Sequence, residues 1–586
     1  MMIHSVLLNY WPGRKPCARR LGPLLLLWLL GAAAHAQAPT WQAAVSMSQS
    51  GLDYSAVKAT ATDAGGNVYL AGHFTGTVSF GTLALTSVGS EDIFVAKWNP
   101  VANIFVWAQR AGGSGYDAVG ALVVSGTSVY VAGRFSGATA EFGASTLTNT
   151  SPNSSDAFVV KLEDQGFRSS FVWAQSAGGA NSESVTAMAV SGSNLYVTGS
   201  FDSTGAKFGT TSLSPVGGVY SDLFVAKLTD AGSSGRFAWA ERAGGIGQEL
   251  ARSVAVHGTS VFVAGEYRSP TAAFGSTTLI NSSANNNDTD VFVTKLTDAG
   301  SSAGFTWTRS AGGRGQDGAT AIAVDGTSVY VAGSFNSAQA GFGGLTLTNA
   351  GFGYNAFVVK LTDAGSAAGF TWAQPVGNGQ HPAVAQALAV TGTGLYVAGN
   401  FWGSTRFGPT TLPGLGSADV FVAKLLDAGS TGSFAWARQG GGWDHDYAYT
   451  LTVSGSNVYV GGEYYSPTAD FGTQTIANPT RHTAFLAYLD ELSPLAAGPP
   501  AGWQGVSLFP NPARGRTTLR LPPVAGELTA TLTVLDNLGR LVRTQPVSWP
   551  AAGTTAAVEL TGLPPGLYQL RVYAGSRQVS RRLVVE

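Results

Sequence analysis

Cysteine is almost absent from this chain. Of its 586 residues only Cys17 carries a thiol, and it precedes an apolar run close to the N-terminus. A chain with one cysteine cannot form an internal disulfide, so its stability must come from the burial of apolar surface. Charge is also scarce, since Asp, Glu, Lys and Arg make up 11% of the residues and the formal net charge is -1. This composition gives no support to nucleic-acid binding.

Motifs for common catalytic and metal sites are missing as well. The five histidines after residue 36 are scattered along the chain and show no zinc-binding spacing. No Gly-x-Ser-x-Gly, phosphate-loop or dinucleotide motif stands between a strand and a helix. Residues 285–290 offer oxygen ligands for Ca²⁺, but their spacing is not that of a known calcium loop, and a polar turn is favoured over a calcium site. The sequence therefore predicts no cofactor.

The first 36 residues have the pattern of a signal peptide. Arg14, Lys15, Arg19 and Arg20 precede the apolar run GPLLLLWLLGAAA, and an Ala-x-Ala cleavage site ends at Ala36. The apolar run is short for a membrane span, which favours a cleaved signal over an N-terminal membrane anchor. We expect a mature chain that starts at residue 37 and has no transmembrane segment.

One strand-like segment occurs seven times. The copy SVYVAGSF at residues 328–335 alternates apolar residues and ends near a glycine, as a short strand with a tight exit does. The equivalent glycines are Gly72, Gly133, Gly199, Gly265, Gly333, Gly399 and Gly462, with spacings of 61 to 68 residues. Each unit also carries three more strand candidates and an insert before the third strand. Such a steady period predicts a repeat architecture of antiparallel sheets.

The ends of the array favour a closed ring over a linear solenoid or a string of sandwich domains. Six units end in a Phe-x-Trp strand, the seventh has none, and the segment TWQAAV with Trp41 stands alone before the first unit. An N-terminal strand that completes the last sheet would remove two exposed edges. We therefore predict an all-β fold in which residues 37–490 form a seven-bladed β-propeller closed by the N-terminal strand.

An Asp-x-Phe-Val-x-Lys strand recurs in most units. Asp92 with Lys97 is one example, and the pair is repeated in four further units. A pair copied so often is better explained as a structural hydrogen bond between blades or at strand ends than as a catalytic dyad. The Asp-Ala-Gly triplets that begin at residues 230, 298, 363 and 427 are interpreted as turns.

These blocks, A-x-A-V-x-G-x-x-V-Y-V-A-G and D-x-F-V-x-K-L, resemble the bacterial seven-bladed β-propeller (SBBP-type) repeat family over residues 41–490. The resemblance implies a propeller fold and a surface or secreted setting. It implies no single activity.

A basic tail follows a Pro/Ala/Gly-rich linker at residues 491–503. Residues 504–586 hold nine arginines, no lysine and four acidic residues. Alternating strands separated by Pro and Gly predict a small Ig-like β-sandwich. Its three motifs, LFPNP at 508–512, DNLGR at 536–540 and LPPGLY at 563–568, resemble the C-terminal sorting domain of the type IX secretion system in Bacteroidota. The resemblance implies the secretion machinery as a partner, passage through the periplasm, and a secreted or surface-attached protein.

The loops of the last two units break the repeat pattern. Most units enter their first strand through small residues, whereas the sixth uses GNGQHP and the seventh GGGWDHD. The predicted ligand site comprises Trp402, Trp443, His381, His445, Asp444 and Asp446. Aromatic rings beside carboxylates and imidazoles suit sugar stacking and hydrogen bonding. The alternative, in which each tryptophan packs beneath its own loop, stays open.

The absence of a catalytic constellation favours a non-enzymatic binding or adhesion scaffold whose ligand is a glycan or a protein. The competing hypothesis is a polysaccharide-active enzyme, a lyase or hydrolase, with its acidic residues gathered on one face of the propeller.

Overall fold

The computed structural model describes residues 39–49, 53–283, 287–351, 353–377, 380–392, 394–478, 482–491, 506–523, 528–535, 541–574 and 577–585. The predicted signal peptide and almost all of the predicted linker lie outside these residues. The domain boundaries at 36, 490 and 503 therefore stay predictions. Within the described residues every regular element is a β-strand.

Two strands precede the first repeat unit, and units 1 to 3 contain six strands each. The leading strands are β1 (Thr40–Ser46) and β2 (Ser48–Gln49). Unit 1 holds β3 (Ser55–Thr62), β4 (Val68–Phe74), β5 (Thr77–Phe80), β6 (Leu83–Thr86), β7 (Asp92–Asn99) and β8 (Ile104–Gly113). Unit 2 holds β9 (Ala118–Ser125), β10 (Ser128–Ser136), β11 (Thr139–Phe142), β12 (Ser145–Thr148), β13 (Ser155–Asp164) and β14 (Ser169–Ala177). Unit 3 holds β15 (Glu183–Ser191), β16 (Asn194–Phe201), β17 (Ala206–Phe208), β18 (Thr211–Leu213), β19 (Asp222–Asp230) and β20 (Gly235–Gly245).

Units 4 to 6 repeat this order, and unit 7 has five strands. Unit 4 holds β21 (Glu249–His257), β22 (Ser260–Tyr267), β23 (Thr271–Phe274), β24 (Thr277–Ile280), β25 (Asp290–Asp298) and β26 (Ala303–Ala311). Unit 5 holds β27 (Asp317–Asp325), β28 (Ser328–Phe335), β29 (Gln339–Phe342), β30 (Leu345–Thr348), β31 (Asn355–Asp363) and β32 (Ala368–Val376). Unit 6 holds β33 (Ala383–Thr391), β34 (Gly394–Phe401), β35 (Thr405–Phe407), β36 (Thr410–Leu412), β37 (Asp419–Asp427) and β38 (Gly432–Gly440). Unit 7 holds β39 (Asp446–Ser454), β40 (Asn457–Tyr464), β41 (Thr468–Phe471), β42 (Gln474–Ala477) and β43 (Thr483–Asp490).

In each of units 1 to 6 the first, second, fifth and sixth strands, called A to D, pair in that order as an antiparallel sheet. The third and fourth strands form a hairpin outside the sheet of their own unit, which is the insert of the sequence pattern. In unit 7 the fourth strand of the sheet is β1, which pairs antiparallel with β43. In unit 5 the sequence pattern predicts strands at residues 319–325, 328–335, 356–362 and 369–374, and these segments lie within β27, β28, β31 and β32.

The recurring glycine lies where the second strand crosses a bulge in the first. A Cβ on Gly72 would stand 1.9 Å from the Ala56 carbonyl oxygen and 2.7 Å from the ring of Phe94. The same approach recurs in unit 7, where a Cβ on Gly462 would stand 1.8 Å from the Tyr447 oxygen. No side chain fits such a space, so the backbone contact explains the seven glycines.

Strands A pack against one another along the chain. Strand β3 lies against β9, β9 against β15, β15 against β21, β21 against β27, β27 against β33, and β33 against β39. Strand β39 in turn lies against β3. Strands B and C are buried on both faces, as Val329, Tyr330 and Val331 show with at most 3% exposure. Their apolar runs are thus covered from both sides.

A buried carboxylate joins each of the first six units to the next. The Lys97 ammonium lies 2.6 Å from Asp164 of unit 2, which also accepts hydrogen bonds from Tyr69 (2.7 Å) and Trp107 (2.9 Å). Lysine and tryptophan bind the equivalent carboxylates Asp230, Asp298, Asp363, Asp427 and Glu491 in the same way. A lone buried charge would cost about 3–5 kcal/mol, so the partners must occur together.

The lysine and the aspartate of the repeated motif thus have structural roles, but they do not bind each other. Asp92 accepts a hydrogen bond from the backbone N–H of Val88 (2.8 Å) at the end of the insert. Asp230 of an Asp-Ala-Gly triplet does form a turn, since it accepts the Gly232 N–H at 2.9 Å. Its second role, as the partner of Lys161 in the preceding unit, goes beyond the predicted turn.

The tail holds β44 (Ser507–Phe509), β45 (Arg516–Leu521), β46 (Leu528–Leu535), β47 (Leu541–Trp549), β48 (Thr554–Glu559), β49 (Gly566–Ala574) and β50 (Arg577–Val585). They form two antiparallel sheets, β44-β45-β48 and β47-β46-β49-β50. One apolar cluster, which includes Leu519, Leu532, Trp549 and Leu583, contains side chains from both sheets. Every buried member of this cluster belongs to the tail.

Candidate functional site

The predicted site begins at Trp443, in the loop between β38 and β39. Its side chain is 65% exposed, so it does not pack beneath its own loop. The loop is held against the segment before β37, where the Ser417 N–H donates to the Trp443 carbonyl oxygen (3.3 Å). A Cβ on Gly416 would stand 2.4 Å from that oxygen, so only glycine allows this approach.

His381 and Trp402 meet in the neighbouring loops of unit 6. The Trp402 N–H donates to the Pro382 carbonyl oxygen at 3.0 Å. A Cβ on Gly403 would stand 2.8 Å from Nδ1 of His381, so the imidazole lies directly over that glycine. A Cβ on Gly414 would in turn stand 2.8 Å from the Gly403 oxygen. The segment from Gly414 to Gly416 therefore connects the surroundings of Trp402 to those of Trp443.

Asp446 is buried and its oxygens are occupied. It accepts hydrogen bonds from the backbone N–H of Gly442 (2.6 Å) and from the hydroxyl (2.8 Å) and N–H (3.3 Å) of Ser466. Acidic side chains begin strand A in four other units and bind their loops alike, namely Asp117, Glu183, Glu249 and Asp317. Asp446 therefore holds the Trp443 loop in place and has no free oxygen for a ligand.

Asp444 and His445 contact their own loop and Tyr447, and not the tryptophans of the predicted site. Asp444 accepts the His445 N–H at 2.9 Å, which shapes the loop. The His445 ring stacks on Tyr447 with centroids 5.8 Å apart, and its Nδ1 lies 3.1 Å from the Tyr447 hydroxyl. The structure thus places His381 against the loop of Trp402, connects that loop to the Trp443 loop only through residues 414–416, and places His445 with the tyrosines of unit 7.

The buried acids predict how stability depends on pH. Burial raises the pKa of Glu183 and Glu249 to about 7 and of Asp117 and Asp446 to about 6. The folded state then holds these protons more tightly than the unfolded chain, so stability falls as pH rises from about 4 to 7. Burial would also raise the pKa of Asp298, but hydrogen bonds from Lys227 and Tyr196 outweigh it and lower the pKa. That contribution is lost as pH falls below about 4.

We therefore expect Tm to be highest near pH 5 and lower at pH 8 and at pH 3, as measured by calorimetry across this range. Glu249→Gln, which cannot ionise, should flatten the decline above pH 5. A Tm that rises steadily from pH 4 to pH 8 would contradict this account.

A cavity of about 530 Å³ lies where strands A meet. Each strand A has a bulge with one extra residue, and such residues from units 1 to 6 line this cavity, namely Lys58, Gly120, Thr186, Arg252, Thr320 and Gln386. Bulges re-aim side chains in this way. The bulge residue of unit 7 is Tyr449, and the Lys58 ammonium lies 3.4 Å from the centroid of its ring.

Aromatic and ionisable side chains cluster where units 7 and 1 are in contact. A comparison of the loops of the units in the sequence did not identify this cluster. Here the Tyr465 and His482 rings are 3.9 Å apart, and Nδ1 of His73 lies 3.4 Å from Oε1 of Glu91. The signal was present in the sequence, because aligning the strands of the seven units, rather than their loops alone, shows that unit 7 is unlike the others.

The calcium alternative finds no support among the described residues. Residues 284–286 lie outside them, and Asp290 accepts hydrogen bonds from the N–H (2.6 Å) and hydroxyl (2.7 Å) of Ser282. No group of three His, Cys, Asp or Glu side chains suited to a metal ion occurs in the part of the chain that the structure describes.

The tail motifs support its β-structure directly. Asn511 of the first motif accepts the Val584 N–H at 2.8 Å, and the Tyr568 hydroxyl of the third donates to the Pro564 oxygen at 2.9 Å. The second motif lies outside the described residues. Residues 507–586 match the family of secretion system C-terminal sorting domains, which confirms this part of the sequence interpretation.

The chain is also similar to solved structures at low sequence identity. A protein of unknown function from Dyadobacter fermentans is 13% identical, with 77% of this chain and 98% of that chain covered and a TM-score of 0.33. Semaphorin 1b of Drosophila, extracellular domains 1-2, is 9% identical, with coverage of 77% and 87% and a TM-score of 0.37. Trypanosoma rangeli sialidase in complex with sialic acid is 10% identical, with coverage of 79% and 82% and a TM-score of 0.29. Similarities at this level of identity do not indicate a function. No curated protein sequence matches the chain.

The type IX sorting tail marks an exported protein, which is either secreted or attached to the cell surface. Among the residues described, none belongs to a helix long and apolar enough to cross a membrane.

Proposed function

We propose that this exported protein is a non-catalytic binding or adhesion scaffold, built as a closed seven-bladed β-propeller of the SBBP type. The type IX secretion machinery would recognise its tail, a small β-sandwich, after signal-directed transfer to the periplasm. Support for seven blades comes from the seven four-stranded sheets and from the cavity that the bulge residues of units 1 to 6 share.

Support for closure comes from the junction between units 7 and 1. In every other junction the end of strand D bonds to the insert hairpin of the next unit, as β8 does with β11. Strand β2, which continues β1, pairs in the same way with β5 of unit 1. The leading segment therefore replaces the missing last strand of unit 7 and also its contact with the following unit.

The same junction replaces the buried ionic cluster with aromatic rings. Unit 7 has Tyr488 where the other units have lysine, and unit 1 has Pro100 where the others have the carboxylate. Trp98 of unit 1 lies 6.0 Å from Tyr488 and 6.4 Å from Tyr459, measured between ring centroids. The lysine and its carboxylate are thus missing together, which is expected if these two units are neighbours.

The exposed indole of Trp443 is the observation that favours binding. Its loop is fixed by the buried Asp446, so the ring is presented at little cost in conformational entropy. Trp402 and His381 lie in the adjoining loops. Exposed aromatic rings beside polar groups stack on sugar rings or anchor protein partners.

Trp443→Ala is expected to weaken retention on the bound glycan or protein about 30-fold, since an aromatic anchor contributes about 2 kcal/mol. Trp402→Ala should weaken it less, because this side chain is only half-exposed. The measurement is affinity retention of the purified mature protein on immobilised glycans and surface proteins. Phe167→Ala is the matched control, since that ring is 91% exposed in another unit.

Two results would contradict the proposal. Cleavage of any glycan by the pure protein would replace the binding scaffold with the alternative, a polysaccharide lyase or hydrolase. A large fall in the Tm of Trp443→Ala would make Trp443 a packing residue instead of a contact residue.

A further inference from the structure

Unit 7 has more aromatic rings than any other unit at six positions that surround the end of its first two strands. These positions hold His445, Tyr447, Tyr449, Glu463, Tyr465 and His482. The equivalent positions of unit 3 hold Ser182, Ser184, Thr186, Ser200, Asp202 and Ser221. The pairing of Tyr447 with Glu463, and of Ser184 with Ser200, fixes this equivalence. Small polar side chains therefore satisfy the fold in unit 3, and no other unit has more than two rings at these positions, so the five rings of unit 7 need another reason.

The large side chains meet polar groups of unit 1. The Tyr449 hydroxyl donates to Glu463 at 2.5 Å, and the Lys58 ammonium lies over the Tyr449 ring. Tyr54, directly before β3, places its ring edge-on to His482 at 6.4 Å and to His73 at 5.8 Å. Side chains of units 7 and 1 thus form one cluster, and Lys58 of this cluster also lines the cavity.

One buried polar atom here lacks a hydrogen-bond partner among the described residues. The His73 side chain is only 12% exposed, and its buried Nδ1 makes no hydrogen bond, with Oε1 of Glu91 at 3.4 Å. Burial, with Lys58 and Arg134 nearby, lowers the pKa of His73 to about 3, so the imidazole is neutral. The Lys58 ammonium lies over the Tyr449 ring, and its side chain lines the cavity. Unpaired buried polar groups are costly unless a ligand or water completes them.

The cluster contains equal numbers of acidic and basic side chains. The carboxylates of Glu91 and Glu463 interact with the cations of Lys58 and Arg134. Their formal sum is zero, so a charged ligand would leave one charge uncompensated. An uncharged ligand with several hydroxyl groups could donate to the carboxylates and accept from Lys58. A pyranose ring also has C–H faces that stack on tyrosine.

We propose that the side chains of Tyr449, Glu463, Tyr465, His482, Lys58 and Glu91 form a binding site for an uncharged hexopyranose unit of a glycan. This site is separate from the loops that carry Trp402 and Trp443. This proposal rests on the proposed binding function. Cleavage of a glycan by the protein would contradict that function.

The test uses calorimetric titration of the mature protein with neutral hexasaccharides of glucose, galactose and mannose, and with polygalacturonate as the charged comparison. We expect at least one neutral hexasaccharide to bind. Tyr449→Thr and Tyr465→Asn should weaken that binding at least tenfold. Both substitutions introduce residues that other units hold at the same positions, Thr186 and Asn336, so folding should be preserved.

Arg252→Thr is the matched control, because Arg252 is the bulge residue of unit 4 and lines the same cavity. It should change affinity by less than twofold. The proposal is overturned if no neutral hexasaccharide binds at millimolar concentration, or if polygalacturonate binds more tightly. It is also overturned if Trp443→Ala abolishes binding while Tyr449→Thr and Tyr465→Asn, with unchanged Tm, do not. In each case the absence of glycan cleavage would leave the proposed binding function standing.

Discussion

Deletion of residues 504–586 is expected to prevent transport to the cell surface and to leave the protein in the periplasm. These residues match the sorting-domain family, and their buried core contains no side chain from the repeat units. The deletion should therefore remove the export signal without opening the core of the repeats. The measurement is cell fractionation with mass spectrometry of both ends of the protein, in a strain with an active type IX system.

The periplasmic protein should keep the Tm of the repeat region, which separates a sorting defect from misfolding. A complementary fusion of residues 504–586 to an unrelated periplasmic protein should carry that protein to the surface. If the truncated chain still reaches the surface in normal amount, the tail is not the signal that this protein uses.

The strands of the repeat could be predicted because their pattern is set by local packing. The glycine of each second strand has a carbonyl oxygen where a side chain would be, so its recurrence follows from one backbone contact. The partner of the repeated lysine could not be predicted in the same way. Lys97 binds Asp164 of the next unit, and a spacing within one motif carries no information about the unit beside it.

The N-terminal strand shows a second limit of prediction from the sequence. Its sequence resembles the Phe-x-Trp strand, which suggests that Trp41 replaces the tryptophan. The register instead pairs Trp41 with Leu489 and Ala43 with Tyr488. In unit 1 the equivalent partners are Phe105 and Trp107, so Trp41 takes the place of phenylalanine. The bulge of this strand lies at the same place as the bulge of β8, so Ala43 stands where the other units have tryptophan, and only the register of the structure shows this.

The site prediction was limited by comparing loops alone. Exposure of Trp443 and the contact between His381 and Gly403 are compatible with the predicted site. Asp446 looked like part of the loop motif, but it occupies a position where four other units also have a buried acid. Tyr449 and Lys58 lie within strands, where alternation predicts burial in the sheet. Both are bulge residues, and the structure places the Lys58 ammonium over the Tyr449 ring, which strand alternation does not predict.

Deletion of residues 39–49 is expected to lower Tm by about 5 °C and to cause aggregation. Trp41 and Met47 are buried at 5% and 0% exposure, and β43 would lose its outer partner. Burial of two such side chains contributes about 3–6 kcal/mol. Because the entropy of unfolding grows with chain length, each kcal/mol changes Tm by about 1 °C in a region as large as residues 40–490. The freed edge of β43 would also be open to pairing with other chains. Calorimetry and light scattering of the purified repeat region measure both effects.

Moving the same segment to the other end of the array tests whether closure is responsible. In a permuted chain, residues 39–49 follow Glu491 through a short turn, as the fourth strand follows the third in the other six units. This chain should recover most of the lost Tm, because β43 regains its partner and β5 regains the contact with β2. If deletion leaves Tm unchanged, the stability of the repeat region does not depend on the N-terminal strand. If the permuted chain stays as unstable as the deletion, the loss comes from something other than pairing, since both chains have the same new N-terminus.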